Sequence, residues 1–437
     1  MTSKGISWIG IFRLGAVQAS IGAIVMLATS LLNRVMVVEY SIAAAVPAGL
    51  VAWHYGVQLS RPYWGHGSDR TEHRSRWIAI GMAVLALGAL LAIDATVMLS
   101  SATVAGTIMA VLAFTMIGIG VGMAGTGLLA LLASRTGPAR KAPAAAICWS
   151  MMVAGIVLAA GLAGHFLDPF SAERLALVGG LVTLGAFLVS IVALHGVERR
   201  FPALESEDKH APRDAFRVVL AGIWRDDEAR RFTFFVFFSM LAYSMQDLIL
   251  EPFAGLVYSF TPGESTQLAG TQHAGVLLGM ALAGIGGSLT AKRMGGNLKP
   301  WVIAGCLGSA AMLGALSLAA ATPGRWPLSA NVFGLGVSNG VFAVAAVGAM
   351  LGLAGKGGKS SHGARLGVWG AAQAIAFGLG GLSGALLVDA MRSGIGTDAA
   401  AFQTVFLIEA LLFLFSALVA SGTSLRRADF PQEALPS

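Results

Sequence analysis

Charged side chains are scarce in this sequence. Asp, Glu, Lys and Arg make up 12% of its 437 residues, whereas soluble domains carry about 25%. The hydrophobic fraction is 56% and the mean hydropathy is +0.75. So few charges cannot cover a surface exposed to water, which excludes a soluble globular protein and makes the lipid bilayer the main solvent.

Cysteine and the common sequence signatures of enzymes are also scarce or missing. The two cysteines, Cys148 and Cys306, lie far apart in apolar runs, which predicts neither a disulfide framework nor a thiolate metal site. The sequence contains no nucleophile elbow, phosphate-binding loop or HExxH-type site, so we expect no enzyme and no metal centre. The net charge of +7 comes without a basic run interleaved with aromatic residues, which argues against nucleic-acid binding.

Long apolar runs are what the sequence has instead. A helix that crosses roughly 30 Å of hydrocarbon needs about 20 residues. Twelve runs approach or exceed this length, which predicts an all-α integral membrane protein with twelve transmembrane helices. The predicted spans are residues 12–38, 42–60, 77–99, 103–133, 143–166, 174–195, 232–260, 268–290, 300–321, 327–354, 364–391 and 400–424.

Lysine and arginine are distributed very unequally between alternate loops. Of the 29 basic residues, 25 fall on the side of the N-terminus, and the other side holds only Arg34, Arg174, Arg325 and Arg392. Because basic residues collect in cytoplasmic loops, both termini are predicted to be cytoplasmic.

One long polar stretch, residues 196–230, divides the chain into two halves of six spans, 1–195 and 231–437. We interpret this stretch as a cytoplasmic linker with a short amphipathic helix around residues 213–224. Similar residues recur in the two halves at offsets of 216 to 222 positions, which indicates a duplication. Parallel six-span repeats are typical of the major facilitator transporters.

The loop after the second span carries Gly65, Asp69 and Arg70, which resemble the cytoplasmic gate motif of the major facilitator superfamily. Glycine allows a tight turn there, and the aspartate can cap a neighbouring helix and pair with an arginine. In the second half, Ala291 stands at the position of Asp69. That copy of the gate has therefore lost its charge, which puts a conventional alternating-access cycle in doubt.

The seventh span contains acidic residues inside an apolar run. Asp247 and Glu251 are four positions apart and share one helix face, next to Gln246. Pro252 removes a backbone donor, which frees the carbonyl of Leu248 and should kink the helix. We interpret the segment as a polar site that either serves function or is satisfied structurally by neighbouring helices.

Two further groups of polar residues lie in the first two spans. Arg34 could pair with an acid of the seventh span or, more simply, with Glu39, and Asn33 precedes it. In the second span, His54 is either a packed, hydrogen-bonded side chain or an axial ligand to the magnesium of a tetrapyrrole.

Several of these runs together resemble the bacteriochlorophyll-delivery (PucC/LhaA-type) branch of the major facilitator superfamily. The resemblance covers nearly the whole chain and is carried by four runs: Arg13-Leu14-Gly15 with Gln18 and Ala19, Asn33-Arg34 with Glu39, Arg61-Pro62 with Gly65, Ser68 and Asp69, and Gln246-Asp247 with Glu251-Pro252-Phe253.

The resemblance implies a function in photosynthesis. Members assist the assembly of light-harvesting complexes by handling bacteriochlorophyll or by chaperoning antenna subunits, in the photosynthetic inner membrane near the reaction centre. Arg34, Glu39, Asp247 and Glu251 would then be positions that contact pigment or subunit.

Three functions therefore remain open from the sequence. The first is an assembly factor that binds or delivers bacteriochlorophyll, and the second is a proton-coupled small-molecule transporter that uses Asp247 and Glu251. The third is a structural scaffold for antenna subunits that binds no pigment.

Overall fold

A computed structural model describes residues 6–61, 64, 73–136, 138–201, 224–290, 297–356 and 362–422. This described part consists of long helices joined by short loops. We number them α1 (Trp8–Glu39), α2 (Ala45–Gln58), α3 (Arg74–Leu99), α4 (Thr103–Arg135), α5 (Pro138–Phe166), α6 (Ala172–Leu194), α7 (Asp227–Tyr258), α8 (Pro262–Thr290), α9 (Lys299–Ala321), α10 (Leu328–Lys356), α11 (His362–Ile395) and α12 (Asp398–Ser421).

Eleven helices of the described part are long and apolar enough to cross a membrane. The prediction of an all-α integral membrane protein is therefore confirmed. Helix α2, which corresponds to the predicted second span, has 14 residues and is about 21 Å long at 1.5 Å per residue. Because residues 62–63 and 65–72 lie outside the described part, the count of twelve spans stays a prediction.

Two predicted elements fall on residues that the structure does not describe. The amphipathic helix predicted at 213–224 is outside the described part except for its last residue, and so is the gate motif Gly65, Asp69 and Arg70. The described portion of the linker contains a helical turn, Val197–Arg200, and the start of α7 from Asp227.

Backbone contacts group the chain into two units. The first comprises Met1–Glu207 with Leu248–His273, and the second comprises Asp208–Asp247 with Ala274–Ser437. Helices α1 to α6 therefore pack in the first unit together with the end of α7 and the beginning of α8. The two predicted six-helix halves, which follow chain order, remain a prediction. The packing of Leu248–His273 in the first unit differs from that division.

Small residues allow the helices of the first unit to approach closely. A Cβ atom on Gly155 of α5 would lie 2.1 Å from the carbonyl oxygen of Ala19 in α1, and one on Gly120 of α4 would lie 2.5 Å from the backbone nitrogen of Leu85 in α3. Lipid gives no hydrophobic driving force for helices to associate, so close packing at small residues contributes much of the attraction.

The second unit combines close backbone contacts with aromatic packing. In α9, a Cβ atom on Gly305 would lie 2.5 Å from the backbone nitrogen of Phe342 in α10. The Phe342 ring lies 5.6 Å from that of Phe413 in α12 and 6.4 Å from that of Tyr243 in α7, measured between ring centroids. These three rings join α7, α10 and α12 into one core.

Substitution of glycine by alanine should affect stability differently at closely packed and at open positions of α5. Gly155→Ala forces α1 and α5 apart, which we expect to cost about 1–3 kcal/mol of stability. Gly161→Ala meets no atom within 4 Å and should be neutral or slightly stabilising, because alanine favours helix. Thermal unfolding of the detergent-solubilised protein, followed by circular dichroism, measures the stability of both variants. Equal unfolding midpoints would contradict the packing described for α1 and α5.

Candidate functional site

The C-terminal third of α1 departs from regular α-helical geometry. Two five-residue π-helical segments, Leu27–Leu31 and Val35–Glu39, flank the stretch that contains Asn33 and Arg34. The wider turns change the direction in which the side chains around them project, and such segments are frequent at functional sites. The sequence does not reveal these two segments, because neither contains a proline or glycine that would mark a change in the helix.

Helices α1 and α7 end in the same way. Each is followed by a serine in the left-handed region, Ser41 with φ 53° and Ser259 with φ 58°. The backbone nitrogen of Phe260 donates to the carbonyl of Ala254 at 3.1 Å, and an equivalent bond of 2.9 Å closes α1. Both bonds span six positions, one more than the 6→1 bond of the Schellman motif. As in that motif, the residue before the donor is left-handed, where glycine is usual because other residues are strained.

Arg34 connects the end of α1 with the end of α7 inside the first unit. Its side chain is buried, Nη1 pairs with the carboxylate of Glu39, and Nη2 donates to the carbonyl of Phe260 at 2.6 Å. Of the two pairings that the sequence leaves open for Arg34, the structure therefore contains the one with Glu39. Beyond the span, burial raises the pKa of the Tyr40 phenol, and the neighbouring Glu39 carboxylate raises it further.

Asn33 fills the hydrogen-bonding gap that Pro252 creates in α7. Proline has no N–H, so the carbonyl of Leu248, four residues earlier, lacks its helical donor. The buried Asn33 side chain donates from Nδ2 to that carbonyl at 2.6 Å. The sequence-based expectation that Pro252 frees this carbonyl is confirmed, and its partner is a residue of the first span.

Glu251 is buried between hydroxyl groups of two other helices. Ser30 of α1 donates to Oε1, and Thr266 of α8 donates to Oε2 at 3.4 Å. A carboxylate at the membrane centre costs roughly 2.5–3.5 kcal/mol on insertion scales. The two donated bonds offset part of this cost and connect the acid of α7 to α1 and α8.

The beginning of α8 is held by an acidic residue from the end of α5. Thr261 and Glu264 form a capping box, in which the backbone nitrogen of each is bound by the side chain of the other at 2.9 and 3.1 Å. Asp168 accepts from the Thr261 hydroxyl at 2.5 Å and from the backbone nitrogen of Gly263 at 3.1 Å. The negative charge thus lies at a helix N-terminus, where it is stabilising.

The structure brings together only part of the predicted site. Asn33, Arg34, Glu39 and Glu251 belong to the first unit, and Gln246 and Asp247, one turn earlier in α7, belong to the second. Asp247 is half-buried. Gln246 is fully buried, and neither its side-chain nitrogen nor its oxygen has a hydrogen-bond partner in the described part of the chain.

His54 is enclosed within α2. Its Nδ1 lies 3.3 Å from the carbonyl of Val51 and its Nε2 lies 2.7 Å from the side-chain nitrogen of Gln58, and the side chain is buried. Both ring nitrogens therefore have protein partners, so binding a magnesium ion would require Gln58 to move away. No group of three or more potential metal ligands occurs among the described residues.

Ser30, Thr266 and the Asp168–Thr261 contact were not predicted from the sequence. Ser30 lies four positions before Arg34 and three before Asn33, so helical spacing could have placed it on the same face. The Thr-Pro-Gly-Glu run at 261–264 carries the signature of a capped helix start. Their partners are distant in the chain, and no local pattern indicates those pairings.

The arrangement is a network of fixed contacts rather than an open polar site. The acceptors of Glu251 and the donor of Asn33 are bound to other helices. Of Arg34, Nη2 reaches the end of α7, Nη1 pairs with Glu39 of its own helix, and Nε has no partner in the described part. A water-soluble ligand would have to displace these bonds. The network therefore joins α1, α7 and α8 inside the first unit.

A double-mutant cycle tests the bond between Asn33 and Leu248. Asn33→Ala should cost about 1–3 kcal/mol, the penalty for leaving a buried carbonyl unsatisfied. With Pro252→Ala, position 252 regains an N–H that can bond to the Leu248 carbonyl, so Asn33→Ala should cost much less in that background. The readout is the unfolding midpoint of the purified protein, and equal effects of Asn33→Ala in both backgrounds would rule out the assigned partner.

Similarity to known proteins covers nearly the entire chain. The family model described as "PUCC protein" matches residues 31–428. The chain is 50% identical to the "Bacteriochlorophyll synthase 44.5 kDa chain" of Rhodobacter capsulatus, over 95% of this chain and 96% of that protein. It is 28% identical to "Protein PucC" of Cereibacter sphaeroides, over 96% and 92% of the two chains.

Transporters are among the solved structures that are similar to this chain in fold. A bacterial homolog of the human lysosomal transporter Spinster matches with a TM-score of 0.71 at 13% identity, over 95% of this chain and 97% of that one. The peptide transporter POT matches with a TM-score of 0.68 at 14% identity, over 94% of both chains. At such identities the likeness concerns the fold alone. The chain therefore belongs to the PUCC protein family and has the fold of the major facilitator superfamily transporters.

Proposed function

We propose that this protein is an assembly factor for photosynthetic light-harvesting complexes, which binds or delivers bacteriochlorophyll, chaperones antenna subunits, or does both. The observation that carries this proposal is the 50% identity, over 95% of the chain, to a relative named for bacteriochlorophyll. Membership of the PUCC family over residues 31–428 supports the same connection to photosynthesis.

The geometry of the first unit favours an apolar cargo over a small polar solute. Glu251, Asn33 and Arg34 use their polar groups to hold helices together. A pigment or an antenna helix is largely apolar and makes most of its contacts by packing, so it does not require these groups to be released. In this proposal Arg34, Glu39 and Glu251 maintain the framework on which such a cargo is held.

Gln246 is the side chain that fits best as a polar contact for a tetrapyrrole. Both of its polar atoms lack a hydrogen-bond partner among the described residues, although the side chain is fully buried. An amide can ligate magnesium through its oxygen or donate to a carbonyl from its nitrogen. His54 fits less well, because both of its ring nitrogens are already bound.

The proposed role is not enzymatic, although one relative carries the word synthase in its name. The candidate site is built from hydrogen bonds between helices and contains no arrangement that we assign to bond-making chemistry. In this proposal pigment is held or passed on without chemical change. The protein resides in the photosynthetic inner membrane with both termini cytoplasmic, next to antenna subunits and the reaction centre.

Copurification tests this proposal. The tagged protein, extracted gently from pigment-replete membranes, should carry near-infrared absorbance of unaltered bacteriochlorophyll, antenna subunits, or both. Gln246→Leu should reduce the bound pigment severalfold, whereas Asn331→Leu, which alters a side chain bound to Trp326 and Met312, serves as a matched control. A colourless preparation without antenna subunits would contradict the proposal, and antenna subunits without pigment would favour a scaffold.

A second candidate function is proton-coupled transport of a small molecule. Glu409 of α12 favours it, since the side chain is fully buried and neither carboxyl oxygen has a hydrogen-bond partner within the described ranges. Ionisable residues inside membrane helices are often functional. In this case Glu409→Gln and Asp247→Asn should abolish pH-driven uptake in proteoliposomes while antenna assembly in cells stays normal. Lost assembly with no uptake by the unmodified protein would favour the first function.

A further inference from the structure

A cavity of about 520 Å³ opens in the first unit between the beginning of α1 and the end of α6. It is lined by Arg13, Ile191, Val192, His195 and Arg200. Two permanent cations and a histidine therefore stand beside aliphatic side chains. This end of α6 is the one that the distribution of basic residues predicts to be cytoplasmic, close to the phosphate layer of the membrane.

The positive charge of Arg13 is held in place. Its Nη2 donates to the carbonyls of Val192, at 3.4 Å, and of His195. These carbonyls belong to the C-terminus of α6, whose partial negative charge would otherwise repel an anion. Arg13 covers this end, and its Nε and Nη1 groups still offer donors. The guanidinium is thus pre-positioned at the cavity, and none of the described residues gives it a carboxylate partner there.

The acid in the helical turn Val197–Arg200, Glu198, is bound to other residues. The carboxylate of Glu198 accepts from the backbone nitrogens of Arg74 and Ser75, both at 3.1 Å, and pairs with Arg135 at 3.4 Å. It therefore does not neutralise Arg200, which is exposed. Among the residues that the structure describes, the lining of the cavity therefore carries a net positive charge.

An apolar strip leads along α6 to the cavity. Leu177, Leu181, Leu184, Leu188 and Val192 follow one another at intervals of three or four residues and are each more than half exposed. At 1.5 Å per residue this strip is about 22 Å long, which exceeds the roughly 15 Å of hydrocarbon in one leaflet. Val192 belongs to both the strip and the cavity, so the two surfaces are continuous.

We propose that this cavity is a binding site for an anionic phospholipid, with its phosphate between Arg13 and Arg200 and an acyl chain along the leucine strip of α6. Basic pockets beside membrane helices on the cytoplasmic side are suited to anionic headgroups. The apolar strip distinguishes a lipid from a free phosphate ion, because a free ion gains nothing from it. The site does not depend on the proposed role in antenna assembly.

Native mass spectrometry of the full-length protein, titrated with phosphatidylglycerol or phosphatidylcholine, tests the site. Arg200→Gln should weaken binding of phosphatidylglycerol about fivefold, as expected for one basic residue near the surface. Val192→Asp should weaken it as well, because it places a negative charge in the apolar wall. Arg199→Gln is the matched control, since Arg199 is exposed beside Arg200 but does not line the cavity.

Arg200→Gln leaves the contacts of Arg13 unchanged, and Val192→Asp keeps the backbone carbonyl that accepts from Arg13, so both variants should fold. Preference for phosphatidylglycerol that falls in these two variants and persists in Arg199→Gln supports the site. Equal binding of the two lipids, equal effects of Arg199→Gln and Arg200→Gln, or displacement of bound lipid by millimolar inorganic phosphate would overturn it.

Discussion

Pro252 leaves the carbonyl of Leu248 without a helical donor inside a membrane helix, and the Asn33 side chain supplies the missing donor at 2.6 Å. Lipid offers no water to satisfy such a group, so a partner must come from the protein. This one requirement holds the end of α7 against α1. The contacts of Arg34 with Phe260 and of Glu251 with Ser30 then follow within the next turns of the same two helices.

As a consequence, the helices are not grouped as the two halves predicted from chain order would group them. Residues Leu248–His273 come after the linker in sequence but pack with α1 to α6. Their contacts include polar ones: Asn33 to a backbone carbonyl, hydroxyls to Glu251, and Asp168 to the start of α8. Polar atoms that a transporter could use for a solute are thus used for cohesion, and this is why we propose an apolar cargo.

Much of the fold could be predicted from the sequence, because hydropathy and the distribution of charge report directly on the membrane. The freed carbonyl at Leu248 was also predictable, since the effect of proline is local. The π-helical segments of α1, the serine caps at Ser41 and Ser259, and the partner of Asp168 were not. The partner of Asp168 lies 93 positions away, a pairing for which one sequence contains no signal. The π-helical segments and the left-handed serines are local, but they contain no proline or glycine that would mark them.

Disulfide cross-linking tests most directly whether the junction of α1 and α7 persists while the protein works. A Cβ atom on Gly255 would lie 2.9 Å from Cγ2 of Val38, so cysteines at these two positions are close enough to be cross-linked. The native Cys148 and Cys306 are both buried. In the variant Val38→Cys with Gly255→Cys, we expect rapid cross-linking in native membranes and unchanged antenna accumulation relative to the reduced form. Failure to cross-link, or loss of antenna assembly on oxidation alone, would contradict the account.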